Sequence, residues 1–301
     1  MVERKLNLDI AGAVSELELL LKRVLPINIM WKIVLGKGLE FDGYRDYASF
    51  DDASDIDWKA SVRGNRTVVR KYIEERELKF MFLVDVSDNV IFGSTEKLKC
   101  EYIAEMVSAM AHLILVNGDR VGIALYNDKI VNFIVPSLGK KHFDVLAYEL
   151  SKPSNYGGEN NLNEVLNNLI KTIDKSVSMV FLVSDFVNID ETYNHNLEIL
   201  AGLFETIALI VRDPLDITLP DLDKEIVISS GNEKLLINPR LAKRSYEENA
   251  KNQLDFVKDT FKNKNIQFLD LSTAESSAEK IAGFLSERIK GGRKTKLENV
   301  Y

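Results

Sequence analysis

The run FMFLVDVSDN, residues 80–89, decides how this chain folds. Phe80 to Val84 are all apolar, too short a stretch for a helix and too uniformly greasy for a strand with one wet face. They read as a strand buried on both sides of a sheet. Polar residues begin at its carboxyl end with Asp85. A second run, MVFLVSD over residues 179–185, repeats the pattern, with Asp185 in the corresponding place. Strands buried on both faces belong to parallel sheets whose crossover helices cover each side.

Working outward, the text alternates between short β-rich runs and longer segments of helical period. A helix is predicted over 97–116, with Glu101, Glu105, Ser108 and His112 on one polar stripe and the remainder apolar. Strands follow over 121–126 and 130–135, joined through Asn127-Asp128 and therefore antiparallel. Helices over 141–150 and 162–173 flank a Gly- and Asn-rich loop at 154–161. A helix over 195–203, strands at 206–211 and 265–269 and a helix over 274–289 complete the set. The fold class is α/β: a Rossmann-like, doubly wound, mostly parallel sheet with one antiparallel edge strand. Residues 213–262 interrupt the rhythm and read as an insertion before the last strand, with a hairpin at 225–237 and a polar helix at 241–261. We divide the chain into an N-terminal part, 1–75, and the main domain, 76–301. The first part holds an amphipathic helix within 1–25 and extended stretches at 28–35 and 67–72, expected to pack on the core.

Composition narrows the function. A chain of 301 residues with 46% hydrophobic content buries a core without staples. The single cysteine, Cys100, excludes a disulfide framework and a cysteine-rich zinc site, and it fits a reducing compartment, the cytoplasm. No apolar run reaches the length of a membrane span, and the charged start does not read as a signal peptide. A net charge of −7 repels a phosphate backbone, so nucleic acid is not an expected partner. The basic tail KGGRKTK at 290–296 reads as a solvated end. With no Gly-x-x-x-x-Gly-Lys-Ser/Thr loop, no nucleotide is expected, and Gly36-Lys37-Gly38 reads as a turn. Nothing calls for an obligate assembly, so a monomer is expected.

In a doubly wound sheet, ligands bind beyond the carboxyl ends of the strands where the winding reverses, because two loops diverge there. Asp85 and Asp185 both follow strands, and neighbouring strands would make them converge. The loop Tyr156-Gly157-Gly158-Glu159-Asn160-Asn161 would bring further oxygens. Hard oxygen donors without His or Cys suit magnesium or manganese. On spacing alone the two acids read as caps or turn formers.

Asp85-x-Ser87, the Gly157-Gly158 loop and Asp185 together resemble the metal-ion-dependent adhesion site of von Willebrand A domains. That resemblance implies an ion held by hydroxyls and by aspartate-bound waters and completed by a carboxylate of the partner. Asn89 stands where the family pattern has its second serine. The family's threonine falls on one of Glu159, Asn160 or Asn161, and Asn160 enters the candidate metal set: Asp85, Ser87, Asn89, Asn160 and Asp185.

A wider resemblance covers nearly the whole chain. Phe41-x-x-x-Arg45-x-Tyr47, Asp51-Asp52 and Ile56-Asp57-Trp58-Lys59-Ala60-Ser61-x-Arg63 are similar to the N-terminal motif of the family called domain of unknown function 58. Phe92-Gly93, Gly118-Asp119-Arg120-Val121-Gly122, Asp213-Pro214 and Leu219-Pro220 match it in order. The resemblance implies a von Willebrand A-type fold and a non-enzymatic adaptor that partners a MoxR-type AAA+ ATPase. Candidate partner contacts are Asp88, Glu159, Arg45 and Trp58.

Plainer readings stand beside these. Trp58 reads first as a pin holding the N-terminal segment to the sheet. Arg45, Lys59 and Arg63 read as partners of Asp51, Asp52 or Asp57. Cys100 reads as core filler, and the scattered His112, His142 and His195 make no catalytic triad. The alternative function is a magnesium-dependent hydrolase using the same carboxylates, and a third reading is a scaffold that has lost the ion and kept the interface.

Overall fold

In the computed structural model the chain begins with α1 (Ile10–Val24), β1 (Phe41–Asp46), α2 (Trp58–Gly64) and β2 (Val68–Tyr72). Then come β3 (Lys79–Asp85), α3 (Lys99–Val116), β4 (Arg120–Tyr126), β5 (Ile130–Ser137), α4 (Lys140–Ser151), α5 (Leu162–Thr172) and β6 (Met179–Ser184). The last part holds α6 (Asn194–Leu203), β7 (Glu205–Arg212), β8 (Ile226–Ser230), β9 (Glu233–Ile237), α7 (Pro239–Asn263), β10 (Gln267–Ser272) and α8 (Ser277–Lys290). The structure describes residues 5–24, 41–48, 56–64, 66–72, 77–230 and 233–290. The stretch expected to be extended at 28–35, the Gly36-Lys37-Gly38 turn, Asp51, Asp52 and the tail beyond 290 lie outside them.

The sheet runs β10-β7-β6-β3-β4-β5, parallel throughout except for β5, which pairs antiparallel with β4 at the edge. Alternation along each strand divides the core in two, because successive side chains point to opposite faces. Phe80, Phe82 and Val84 join Val121, Ile123, Phe181, Val183 and Leu209 under α1, α3 and α8. Met81 and Leu83 join Tyr126, Val180, Leu182 and Ile210 under α5, α6 and the end of α7. Phe82 and Phe181 stack across the β3/β6 pair, with centroids 4.7 Å apart. The winding therefore reverses between β3 and β6, which is where the crevice opens.

Three features differ from the sequence expectation. The polar stripe of α3 is not wet: Glu101, Glu105 and Ser108 are buried, and the segment before α1 lies on the two glutamates. Asn7 N–H donates to Glu101, Asp9 N–H donates to Glu105, and Leu17 and Leu21 complete the contact in the core. The stripe is the seat of the N-terminal helix, and its carboxylates accept that segment's free amides. The stretch between β7 and β10 is not wholly an appendage either. Val257 and Phe261 of α7 lie fully buried against the sheet, so the last turns of α7 act as a crossover helix and the β8/β9 hairpin is the added piece. The last strand starts at Gln267, later than expected, because Asn265 adopts φ 56° in the turn that ends α7.

β1, α2 and β2 form a small unit. Asp57 caps α2 through the Ala60 amide, the Ser61 hydroxyl accepts from Val68 N–H at 2.9 Å, and Val68 and Val69 are buried. Trp58 opens α2 with 66% of its surface exposed, so it does not serve as the pin that the sequence suggested.

Candidate functional site

The end of β3 carries Asp85, which is fully buried with both carboxylate oxygens engaged. Oδ1 accepts from Ser87 N–H at 2.9 Å. Oδ2 accepts from the Ser184 hydroxyl and from Asn160 Nδ2, each at 2.6 Å. One side chain thus ties together three segments: its own loop, the end of β6 and the Gly-Gly loop. Burial, and then the Asp185 carboxylate, push the Asp85 pKa up to about 6, against the pull of the hydrogen bonds from Ser184 and Ser87.

The Gly-Gly loop is lashed in place by its backbone. Gly157 N–H donates to Val86 O and Asp88 N–H donates to Gly158 O, both at 2.8 Å, and Asn127 Nδ2 donates to Gly157 O at 2.7 Å. Gly157 and Gly158 have φ 130° and 90°, and a Cβ on Gly158 would come within 2.9 Å of the Asn127 amide. Only glycine meets both demands.

Asp185 follows β6 and is also buried. Its Oδ1 accepts from Val187 N–H at 3.1 Å, and its Oδ2 accepts from Lys99 Nζ at 2.8 Å. Lys99, in the first turn of α3, donates as well to Asp216 Oδ2 at 2.9 Å and is itself only 2% exposed. Its outer side faces the Phe92 ring, 5.9 Å from the centroid. Burial works against the ammonium, but Asp185 and Asp216 more than offset it, and the Lys99 pKa is raised. Arg212, at the end of β7, is buried near the same two carboxylates; burial lowers its pKa and their charge opposes that. After Asp185 the chain is clamped. Phe186 takes φ 53°, its ring meets Phe261 edge-on at 5.1 Å, and Gln253 Nε2 donates to both Phe186 O and Val187 O.

The structure brings the candidate metal set together. Asp85 bonds Asn160, Ser87 bonds Asp85, and Asn89, Asn160 and Asp185 line one small cleft with Ser184, Phe186 and Tyr193. Asp88 and Glu159 stand exposed on the loops beside it. Arg45 and Trp58 belong to the β1/α2/β2 unit and are not among the residues lining the cleft.

Of this donor set, one buried side chain is free for a divalent ion. The buried Ser87 Oγ has no hydrogen-bond partner and would suit one. The others do not. Asn160 turns its NH2 to Asp85 and its oxygen to Leu162 N–H. Asp85 has both oxygens taken, and Asp185 is already paired with an ammonium. Among the described residues no three His, Cys, Asp or Glu side chains gather as metal ligands. The arrangement does not fit a magnesium-type shell of oxygen donors.

Sequence reasoning missed Lys99, Asp216, Ser184 and Asn127. Ser184 adjoins Asp185, and Asp216 lies two residues after the Asp213-Pro214 motif, so position hinted at both. No local signal marks Lys99, whose partners lie 86 and 117 residues away.

A family model described as "Protein of unknown function DUF58" matches residues 43–255. Uncharacterized proteins of Mycobacterium bovis and Mycobacterium tuberculosis are each 24% identical over 290 residues, covering 94% of this chain and 90% of theirs. Among solved structures, the conserved hypothetical protein BatB from Bacteroides thetaiotaomicron is similar with a TM-score of 0.43 and 10% identity, over 71% of this chain and 99% of that one. A von Willebrand factor type A protein from Catenulispora acidiphila is similar with a TM-score of 0.39 and 7% identity, over 74% of this chain and 44% of that one. No described helix is long and apolar enough to cross a membrane.

Proposed function

The chain belongs to the DUF58 family, and from that membership we propose that it is a non-enzymatic docking module whose crevice between β3 and β6 meets a protein partner. The observation that carries this reading is the engagement of Asp85. A general base must be able to reach a water and take its proton. Asp85 is buried and spends both oxygens holding three loops in register, so its chemistry is that of a strut. This weighs against the hydrolase alternative. Around the strut the loops are clamped by backbone bonds and by Gln253, which presents a rim that loses little freedom on binding.

The rim carries Asp88 and Glu159, both exposed, so the complementary surface on the partner is basic. Trp58 and Arg45, on the separate N-terminal unit, are a second contact of the residue types that dominate interface energies. As partner we propose a MoxR-type AAA+ ATPase, which the family resemblance implies, and as place of action the cytoplasm, which the single buried Cys100 suits.

The test is affinity capture of a purified MoxR-type ATPase by the tagged chain, run with and without chelator, beside an Asp88→Arg/Glu159→Arg variant. Capture by the wild type that the variant loses supports docking through this rim. Capture that is equal for both, or absent with every such ATPase tried, sinks it.

A further inference from the structure

Asp185, which lines the cleft, is paired with a buried cation that belongs to the chain. Lys99 Nζ lies 2.8 Å from Asp185 Oδ2 and 2.9 Å from Asp216 Oδ2, with Lys99 and Asp185 both about as buried as the strands beneath them. A lysine in such a place is unusual, because burying an ammonium is costly unless carboxylates surround it. Here they do, on two separate loops: Asp185 after β6 and Asp216 after β7. Lys99 reaches them from the first turn of α3, so one ammonium joins three elements at the point where the winding reverses.

Asp216 Oδ2 also accepts from Asp213 N–H at 2.8 Å, so the carboxylate that Lys99 holds is fixed in the turn after β7. Asp213 in turn accepts from Ser94 and Thr273, which ties the loop after β3 and the end of β10 into the same network. Asn160, finally, gives Asp85 an N–H and not an oxygen, a choice that satisfies the carboxylate directly and withholds the Asn160 oxygen, which accepts from Leu162 N–H, from a metal.

We propose that the Lys99 ammonium stands in the place of a divalent ion, joining the loops after β3, β6 and β7 so that the crevice is assembled, and meets its partner, without metal. A bound ion would have to share Asp185 with a buried like charge, which Coulomb repulsion disfavours at such short range. A partner's carboxylate would find no open coordination position, and the exposed groups it would face are the acids Asp88 and Glu159. This proposal rests on the docking reading above, but its test needs no partner, so the two can fail separately.

The experiment uses the full chain alone. Manganese is titrated while the free aqueous ion is followed by electron paramagnetic resonance and thermal unfolding is recorded, with EDTA as the reference. For the wild type no site-specific uptake is expected beyond that of Asp185→Asn, and no shift in melting temperature. Removing the ammonium by Lys99→Ala frees the oxygens of Asp185 and Asp216 that it held, Oδ2 in each case. That variant is expected to melt lower in EDTA and to recover several degrees on adding manganese, because a ligand that binds only the folded state raises its stability. Stoichiometric manganese uptake by the wild type that Asp185→Asn abolishes would overturn the proposal, as would a folded Lys99→Ala chain indifferent to manganese. If Lys99→Ala does not fold, the wild-type titration still decides, since it requires no variant of Lys99.

Discussion

Lys99 Nζ and Asp185 Oδ2 lie 2.8 Å apart in a place where each side chain is only 2% exposed, and the lysine reaches Asp216 at the same time. Breaking a buried pair by removing one partner leaves a buried charge without its ion-pair partner, which costs about 3–5 kcal/mol. Lys99→Met is therefore expected to lower unfolding free energy in urea by an amount in that range. Asp185→Asn should cost less, because Lys99 keeps Asp216. Neutralising both acids in the Lys99→Met background should recover most of the loss. If Lys99→Met and Asp185→Asn cost the same and add independently, the three groups are not one network.

Asp85 predicts a pH dependence of definite sign. Its pKa in the folded chain is about 6, against an ordinary value of 3.8, so between these the native state binds more protons than the unfolded one. Stability contributed by this group is thus fully present below pH 3.8 and is lost as pH rises through 6. The loss amounts to roughly 3 kcal/mol at neutral pH, since a pKa unit is worth about 1.4 kcal/mol. Asp85→Asn cannot titrate. Urea melts from pH 4 to 7.5 should show the wild type losing stability relative to the variant by about that amount, apart from a constant offset. A difference that is flat across the range would mean that Asp85 is not held in this state.

The division between what the sequence made legible and what it did not follows the range of the interactions. Phe80 to Val84 and Met179 to Val183 announced the central strands because burial on both faces is written in consecutive residues. The meeting of Asp85 with Asp185 followed from strand ends and from the rule about where winding reverses. The cation between Asp185 and Asp216 did not follow, because a lysine in the first turn of an apolar helix looks like any solvated helix start until the chain is folded over it. The polar stripe of α3 misled for the same reason: Glu101 and Glu105 looked like a wet face, and they are where the N-terminal segment seats. Trp58 departs in the opposite sense: of its two readings, pin and partner contact, exposure removes the pin.

Gly158 links the Gly-Gly loop to the first loop by accepting from Asp88 N–H, and it does so at φ 90° with the Asn127 amide 2.9 Å from where a Cβ would sit. Gly158→Ala meets both obstacles. Gly118 offers a control, since at φ 84° its added Cβ would meet nothing within 4 Å. Gly118→Ala should therefore show backbone strain alone, about 1–3 kcal/mol. Gly158→Ala should cost more, and it should also speed hydrogen exchange at the Asp88 amide, which Gly118→Ala leaves unchanged. Equal costs with no change at Asp88 would mean that the loop moves freely and that the rim is not held in advance of binding.

Trp58 tests the second contact. An aromatic side chain with 66% of its surface exposed adds little to folding, so Trp58→Ala should change unfolding free energy by no more than about 0.5 kcal/mol. If Trp58 anchors the partner, truncation should weaken capture by about 2 kcal/mol or more, roughly 30-fold in affinity. The two measurements together separate the roles that the residue could have. Lost binding with intact stability marks a contact, whereas lost stability marks a structural pin whose effect on binding is indirect. Pairing Trp58→Ala with Asp88→Arg adds a geometric test, because contacts on separate surfaces should contribute additively within about 0.5 kcal/mol. Strong coupling between them would place Trp58 and the β3/β6 rim under one and the same patch of the partner.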